Sequence, residues 1–283
     1  KRQTAVEELN MNDISREESG EYVNPIYDLE RLIGRISYKT ANPRDLVAFK
    51  SSLEMLPHIK QILGGFSGEL LKELAREMDP LQDIYELIDQ AILEDPPVTV
   101  REGGIIKDGY HEEADRLRQA KTEGKDWLAE LEAREKEKTG IKTLKVKFNK
   151  VFGYYFEVTN SFKNQVPDYF VRKQTLTNAE RFTTDELKHL EDIIMGAEEK
   201  LVSLEYDLFC QVRDSVAAQV VRIQKTAKAI AGVDVFCSLS VVATRRNYVK
   251  PMINGKGVIQ IKNGRHPVVE QMMRDDLFVA NDT

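Results

Sequence analysis

The stretch RKQTLTNAERFTTDELKHLE, Arg172 to Glu191, contains the change of pattern that decides the fold. Its first half mixes cations with small polar residues, and its second half begins a helical pattern. Apolar residues then recur at alternating spacings of three and four, at Leu187, Leu190, Ile194, Ala197, Leu201, Leu204 and Leu208. This heptad spacing is typical of a helix that packs along its length against a partner. We predict a helix that starts at a Thr183–Glu186 capping box and continues to about Ile223.

A second long helix is predicted on the other side of a β-rich segment. Residues 111–138 are dense in charge, and their few apolar positions indicate a helix that mostly faces water. Residues 140–184 instead contain IKTLKVKF and GYYFEVT, which alternate or favour β-strands. The order helix, β segment, helix predicts a small sheet at the tip of two antiparallel helices. The fold class is therefore mainly α with a small β-rich insertion.

The first hundred residues are predicted to be helical, with one β-hairpin after them. TANPRDL gives a helix start with Pro43 at the first helical position, and further helices are expected over 68–78 and 81–93. In EDPPVTVREGGIIKDGY, we predict strands at 98–100 and 105–106 around a Gly-Gly turn.

Composition limits the classes of function. The chain has 283 residues, of which 41% are hydrophobic and 31% charged, and it has no run of 18 apolar residues, so we predict no membrane span. It lacks an initiator Met, which indicates part of a longer protein. Cys210 and Cys237 fit no metal spacing and are predicted to be reduced core residues. We find no metal site and no catalytic residue: His111, Glu112 and Asp115 are read as a solvated helix start.

Positive charge concentrates in the predicted tip. Residues 138–182 carry nine Lys or Arg against three acids, in a chain whose net charge is −6. A basic tip on an acidic protein indicates contact with a polyanion at the tip only. Charge by itself equally fits a solvated lysine face of a small sheet.

Four separated blocks resemble the MutS family of DNA mismatch-repair proteins. They are DLERLIGRISYKTANPRDL, KVKFNKVFGYYFEVTNS, RKQTLTNAERFTTDELKHLE and NGRHPVVEQ, in this order. The resemblance implies a core and lever domain over 1–123 and 185–247, a clamp domain over 124–184, and the start of an ATPase domain over 248–283.

The resemblance also implies what the full-length protein does. A full-length member is expected to be a DNA-dependent ATPase that uses ATP and Mg, forms a homodimer, works with a MutL-type repair partner and resides in the bacterial cytoplasm at the nucleoid. This chain contains no G-x-x-x-x-G-K-[ST] loop, so we predict no enzymatic activity and no cofactor for this part.

The family's clamp motif carries over to named residues. Lys173, Asn178 and Arg181 match positions that in relatives approach the DNA backbone, and Thr177 stands where some members have lysine. Charge and position add Arg172 and Lys150. These six residues are the predicted contacts to double-stranded DNA.

Two functions from different classes follow from these patterns. The first is the lever and clamp region of a mismatch-recognition ATPase, which holds duplex DNA through non-specific backbone contacts and relays the ATP state of the full-length protein. The alternative is a coiled-coil interaction protein whose basic tip binds an acidic protein partner. Steep loss of DNA affinity with salt is the property that separates them.

Overall fold

Short helices fill the first 91 residues of the chain. The computed structural model describes residues 1–273 and 278–283. The helices are α1 (Arg2–Met11), α2 (Asp13–Val23), α3 (Leu29–Ser37), α4 (Pro43–Leu53), α5 (Leu56–Gly64), α6 (Glu69–Glu77) and α7 (Gln82–Ala91). At the start of α4, Asn42 and Asp45 form a reciprocal capping box with Pro43 between them, so the predicted helix start is confirmed.

Two long helices, which we call the arms, run antiparallel to each other. They are α8 (Glu112–Thr139) and α9 (Asp185–Ala217). Ion pairs join them in antiparallel order: Lys121 lies 2.8 Å from Glu198, and Arg134 lies 2.5 Å from Glu186. The predicted seam of α9 is confirmed, because its positions from Leu187 to Leu208 are buried or half-buried.

A four-stranded antiparallel sheet is inserted between the arms. Its strands are β1 (Lys145–Asn149), β2 (Gly153–Thr159), β3 (Val171–Thr175) and β4 (Ala179–Thr183), and a short 3-10 helix, Asn160–Gln165, follows β2. The spatial order is β1-β2-β4-β3, so the β3–β4 hairpin adds its second strand to β2. A mainly helical fold with a small β insertion is therefore confirmed.

The helices share one apolar core, and the sheet has another. Residues of α1 to α7 pack with those of α9 and of a later helix, α10 (Val220–Arg246), around fully buried side chains such as Phe49 and Phe209. The second core joins the sheet to the arms. The sheet is thus packed on the two arms.

A buried carboxylate fixes the loop that precedes α8. Glu205 of α9 is fully buried, and its Oε2 accepts hydrogen bonds from the backbone N–H of Gly104 (2.5 Å) and of Ile105 (3.2 Å). Ile106 forms an isolated bridge with Ile92. The predicted hairpin at 98–106 is wrong: residues 100–102 form a 3-10 helix, because the partner of this segment is the distant Glu205 and the end of α7.

Two predicted boundaries of α9 shift by a few residues. Thr183 still pairs with Val171 in the sheet, so Thr184 is the N-cap, and its Oγ1 accepts a hydrogen bond from the N–H of Leu187 at 3.2 Å. The predicted continuation to Ile223 is also wrong, because a turn at Ala218 and Gln219 interrupts the helical hydrogen bonds between α9 and α10.

One helix among the described residues, α10, is long and apolar enough to cross a membrane by length and composition alone. Its buried residues, which include Ile223, Ile230 and Phe236, belong to the apolar core of the helices. This packing is that of a core helix.

Residues from Val241 to Thr283 form a second, smaller unit. None of its described residues is buried. Its regular structure includes the short helix α11 (Val269–Met272) and a bridge between Gly264 and Asn281. The side chain of Arg265 pairs with Glu270 at 2.8 Å.

Candidate nucleic-acid interface

The inner face of the sheet packs against the arms. Phe156 of β2 and Phe182 of β4 are directly paired in register, and both are buried. They belong to a core that includes Leu128 and Leu131 of α8 and Leu187 and Ile194 of α9. Side chains of alternate residues therefore point to the other face of the sheet, which we call the outer face.

A half-buried carboxylate of α8 holds the first strand. Glu132 accepts a hydrogen bond of 2.7 Å from the backbone N–H of Val146, and its other oxygen accepts one from Lys136. Burial tends to raise the pKa of Glu132, but these two donors outweigh it and the net pKa is lowered. The strand is thus tied to the arm through a charged carboxylate.

The outer face carries a polar row that crosses all four strands. Lys145 of β1 pairs with Glu157 of β2, Glu157 pairs with Arg181 of β4, and Arg181 pairs with Gln174 of β3. Lys147 lies on the same face, because its Nζ donates a 2.7 Å hydrogen bond to Glu157. That hydrogen bond raises the pKa of Lys147.

Arg181, one of the predicted contacts, is held rigidly on the outer face. Its guanidinium carbon lies 4.4 Å from the centre of the Tyr155 ring, and Nη1 donates a 2.8 Å hydrogen bond to Gln174 Oε1. Tyr155 is only 4% exposed, although it points away from the inner core. The Nε of Arg181 is buried and has no partner among the residues that the structure describes.

Thr177 and Asn178 form the exposed turn between β3 and β4. The backbone N–H of Asn160 donates to the carbonyl of Asn178 at 3.2 Å, and its side-chain amide donates to the carbonyl of Thr177 at 2.9 Å. These bonds fix the backbone of the turn through its carbonyls. The two side chains are left pointing toward solvent.

Lys150 and Arg172 are also exposed but lie elsewhere on the sheet. Lys150 is in the β1–β2 turn, at the end of the sheet opposite the Asn178 turn, as the antiparallel registers require. Arg172 is on the edge strand β3, where its Nε lies 3.4 Å from Glu180. Its side chain is 62% exposed.

The ammonium group of Lys173 is engaged within the protein. Its Nζ donates a 3.0 Å hydrogen bond to the carbonyl of Phe152 and lies 3.9 Å from Glu191 of α9. Only 24% of the side chain is exposed. Lys173 therefore ties the β1–β2 turn to the sheet and to the arm.

The predicted residues thus do not form one cluster. Lys150 and Lys173 lie toward the β1–β2 turn, Thr177 and Asn178 are at the opposite end, and Arg181 is between them. The sequence prediction did not select Lys145, Lys147 or Tyr155, whose ring lies against the Arg181 guanidinium. The alternation in KVKF signals that the two lysines share a face, but only the strand register shows that Arg181 shares it.

Comparison with known proteins agrees with this geometry. A family model described as MutS family domain IV matches residues 109–200, which contain α8, the sheet and the first half of α9. The DNA mismatch repair protein MutS of Lachnoclostridium phytofermentans is 63% identical over 282 residues, which cover 100% of this chain and 30% of that protein. This chain belongs to the MutS family.

Further MutS proteins match over the same extent. The DNA mismatch repair protein MutS of Caldanaerobacter subterraneus is 56% identical over 282 residues, covering 100% of this chain and 32% of the relative. That of Ruminiclostridium cellulolyticum is 50% identical over 279 residues, covering 99% and 32%. The chain therefore spans about a third of the length of these MutS relatives, and the family model lies on the arms and the sheet.

Proposed function

We propose that this chain is the lever and clamp region of a DNA mismatch-repair protein, and that its sheet, which we now call the clamp sheet, holds duplex DNA through backbone phosphates. The observation that carries the proposal is the charge of the segment that contains this sheet: nine cations against three acids over 138–182, in a chain of net charge −6. Phosphates dominate the affinity of proteins for DNA, so such a local surplus suits a polyanion.

The positions of the expected contacts support non-specific binding. Lys150 and Arg172 are exposed cations at the rim of the clamp sheet, and Asn178 and Thr177 offer neutral hydrogen bonds from a fixed turn. Contacts of this kind position a protein on the duplex and carry no base sequence information. Binding is therefore expected to be even across sequences.

We also propose that the arms relay the ATP state of the full-length protein to the clamp sheet. Helix α8 has 28 residues, and at 1.5 Å per residue it extends about 42 Å. Glu205 and the ion pairs along the arms couple α8 to α9 from the loop at 103–106 up to the clamp sheet. A displacement of one arm would thus be passed to the sheet.

For the full-length protein, we propose the properties that go with mismatch repair in this family. They are ATP hydrolysis with Mg, a homodimer, a MutL-type partner and residence in the bacterial cytoplasm at the nucleoid. The residues of this chain include no phosphate-binding loop, and its Gly255–Gly257 pair has the wrong spacing, so we assign no nucleotide contact to them. The nucleotide would bind elsewhere in the full-length protein.

A salt-dependent binding titration tests the proposal. In the full-length protein, anisotropy of a labelled duplex is measured from about 50 to 200 mM salt. Lys150→Ala and Arg181→Ala are each expected to lower the slope of log affinity against log salt by about one. Asn178→Ala is expected to weaken binding by about 1 kcal/mol and leave the slope unchanged.

The control variant is Lys72→Ala, which removes one exposed cation from α6 in the helical part of the chain. It should leave both affinity and slope unchanged. If the three variants of the sheet, Lys150→Ala, Arg181→Ala and Asn178→Ala, bind like the wild type, the clamp sheet does not hold DNA. The alternative of an acidic protein partner would then be favoured, although the relatives' names give it no support.

A further inference from the structure

We infer that the outer face of the clamp sheet is itself a phosphate-binding surface, with Arg181 fixed on Tyr155, Lys145 and Lys147 beside it, and Glu157 as a built-in attenuator of affinity. The inference rests on the proposed function and deepens it. It assigns DNA contact to two lysines outside the motif and gives an acidic residue a regulating position among them.

The spacing of the cations fits a nucleic-acid backbone. Lys145 and Arg181 stand in the same row and are separated by β2, which places their Cα atoms about 10 Å apart at the usual strand spacing. One strand of DNA advances about 3.4 Å per phosphate along its axis, so 10 Å spans about three phosphates. The two cations can therefore contact one strand without rearrangement of the sheet.

The Arg181 guanidinium is ordered before any ligand arrives. Stacking on Tyr155 and the hydrogen bond to Gln174 fix its plane. A long side chain normally loses conformational entropy when it binds, and this loss has already occurred here. Tyr155 lies beneath this guanidinium and is 4% exposed, although it is on the face away from the apolar core.

Among the described residues of the four strands, Glu157 is the only acidic residue on the outer face. It is 23% exposed at its side chain, pairs in register with both Lys145 and Arg181, and accepts a hydrogen bond from Lys147. The other strand acid, Glu180, lies on the inner side next to Arg172. Glu157 therefore repels an approaching phosphate and occupies a lysine that would otherwise bind it.

Most substitutions in a binding surface weaken binding, whereas Glu157→Gln is expected to strengthen it. Glu157→Gln removes the repulsion and frees Lys147, so we expect tighter duplex binding, by about three- to tenfold at low salt. The freed lysine adds one phosphate contact and should steepen the salt slope by about 0.9. In the wild-type background, Lys145→Gln should weaken binding because it removes a phosphate contact, and Lys147→Gln should weaken it because it leaves the Glu157 charge without its partner. Lys147→Gln should also abolish most of the gain from Glu157→Gln.

The experiment measures duplex binding by the full-length protein with these variants, after circular dichroism confirms that each is folded. Glu30→Gln is the matched control, because it makes the same charge change at an exposed position of α3. Tyr155→Leu serves as a second probe that keeps all charges and removes the aromatic ring beneath Arg181. It should weaken binding several-fold with little change in slope.

The outcomes separate the inference from the proposed function. Tighter binding by Glu157→Gln but not by Glu30→Gln supports the inference. If Glu157→Gln binds like Glu30→Gln or more weakly, the outer face does not meet the phosphates and the inference is overturned. If in that case Lys150→Ala and Asn178→Ala still weaken binding, the proposed function stands without the inference. If no variant changes binding, both are wrong.

Discussion

Arg118 of α8 donates a 2.9 Å hydrogen bond from Nη2 to Oε1 of Glu205 on α9, and the carboxylate that accepts it is fully buried. The same guanidinium also reaches Asp108, Asp115 and the carbonyl of Ile106. One ion pair thus joins the two arms and the loop between α7 and α8. A buried charge of this kind is stable only while all its partners are present.

Removal of the Glu205 carboxylate should therefore strongly destabilise the chain. Glu205→Ala leaves two backbone N–H groups without their acceptor and removes one of the partners of Arg118, and we expect the free energy of unfolding to fall by about 3–5 kcal/mol. Glu205→Gln keeps an acceptor for the backbone and should cost about 1–3 kcal/mol. Urea unfolding followed by circular dichroism measures both.

The control for this prediction lies on the same helix. Glu198 pairs with Lys121 at 2.8 Å, but its side chain is 44% exposed, so Glu198→Ala should cost less than about 1 kcal/mol. Equal losses for Glu205→Ala and Glu198→Ala would show that the buried pair is not a structural link between the arms.

Two glycines in the arms should respond to alanine with opposite signs. A Cβ on Gly124 of α8 would overlap Cγ1 of Ile194 on α9, whereas a Cβ on Gly196 would meet nothing within 4 Å. Gly196→Ala should stabilise the chain by about 0.5–1 kcal/mol through helix propensity. Gly124→Ala should destabilise it by about 1–3 kcal/mol through overpacking.

Thermal and urea unfolding of the two variants check this contrast. In an Ile194→Ala background, Gly124→Ala should cost less than it does in the wild type, because the atoms that the new methyl group would meet are already absent. A stabilising effect of Gly124→Ala would mean that the arms do not pack closely at this point.

Local periodic signals predicted the helices, and contacts distant in sequence explain the errors. The α9 seam depends on spacings within one helix and was predicted correctly. The segment at 98–106 was predicted as a hairpin because Gly103 and Gly104 suggest a turn, but both have positive φ in a loop bound by Glu205, a hundred residues away. No pattern within residues 98–106 indicates a partner so far away in the sequence.

The candidate site shows the same limit at the level of side chains. The motif around Asn178 could be located from sequence, and its side chain is exposed as a contact residue requires. The role of Lys173 could not be read from it, because its partners Phe152 and Glu191 come from a turn and a helix on either side of the motif. The sequence motif identifies the types of residue at the site, whereas the strand register and the packing of the sheet decide which of their side chains contact each other.

Stability should decrease on acidification through a partly buried cluster. Lys50, whose side chain is 8% exposed, donates to Asp89 at 2.9 Å and to Glu94 at 3.0 Å. The hydrogen bond from Lys50 lowers the pKa of Asp89, and hydrogen bonds from Lys50 and Lys107 lower that of Glu94. A carboxyl whose pKa is lower in the folded state stabilises the fold above its unfolded pKa and loses this contribution as pH falls through the folded value.

Asp89→Asn isolates this effect. The variant should be less stable than the wild type near pH 7, and the difference should shrink as pH falls below about 4, the usual pKa of an aspartate. Urea unfolding at pH 7, 5, 4 and 3 measures the difference. A difference that stays constant over this range would exclude a contribution from the lowered pKa.

Gly153 lies where the β1–β2 turn meets α9. Gly153 has φ of +69°, and a Cβ there would overlap the carboxylate of Glu191, which also lies 3.9 Å from Lys173. Gly140 has φ of +70° with nothing within 4 Å of its Cβ position. Gly140→Ala should therefore cost only the left-handed backbone penalty, about 1–2 kcal/mol, and Gly153→Ala should cost clearly more.

A double-mutant cycle identifies the source of the extra cost. In a Glu191→Ala background, the carboxylate no longer blocks the new methyl group, so Gly153→Ala should cost no more than Gly140→Ala does. The free energy of unfolding of the four proteins in the cycle is measured in urea. If Gly153→Ala costs the same with and without Glu191, the turn is not seated on this side chain.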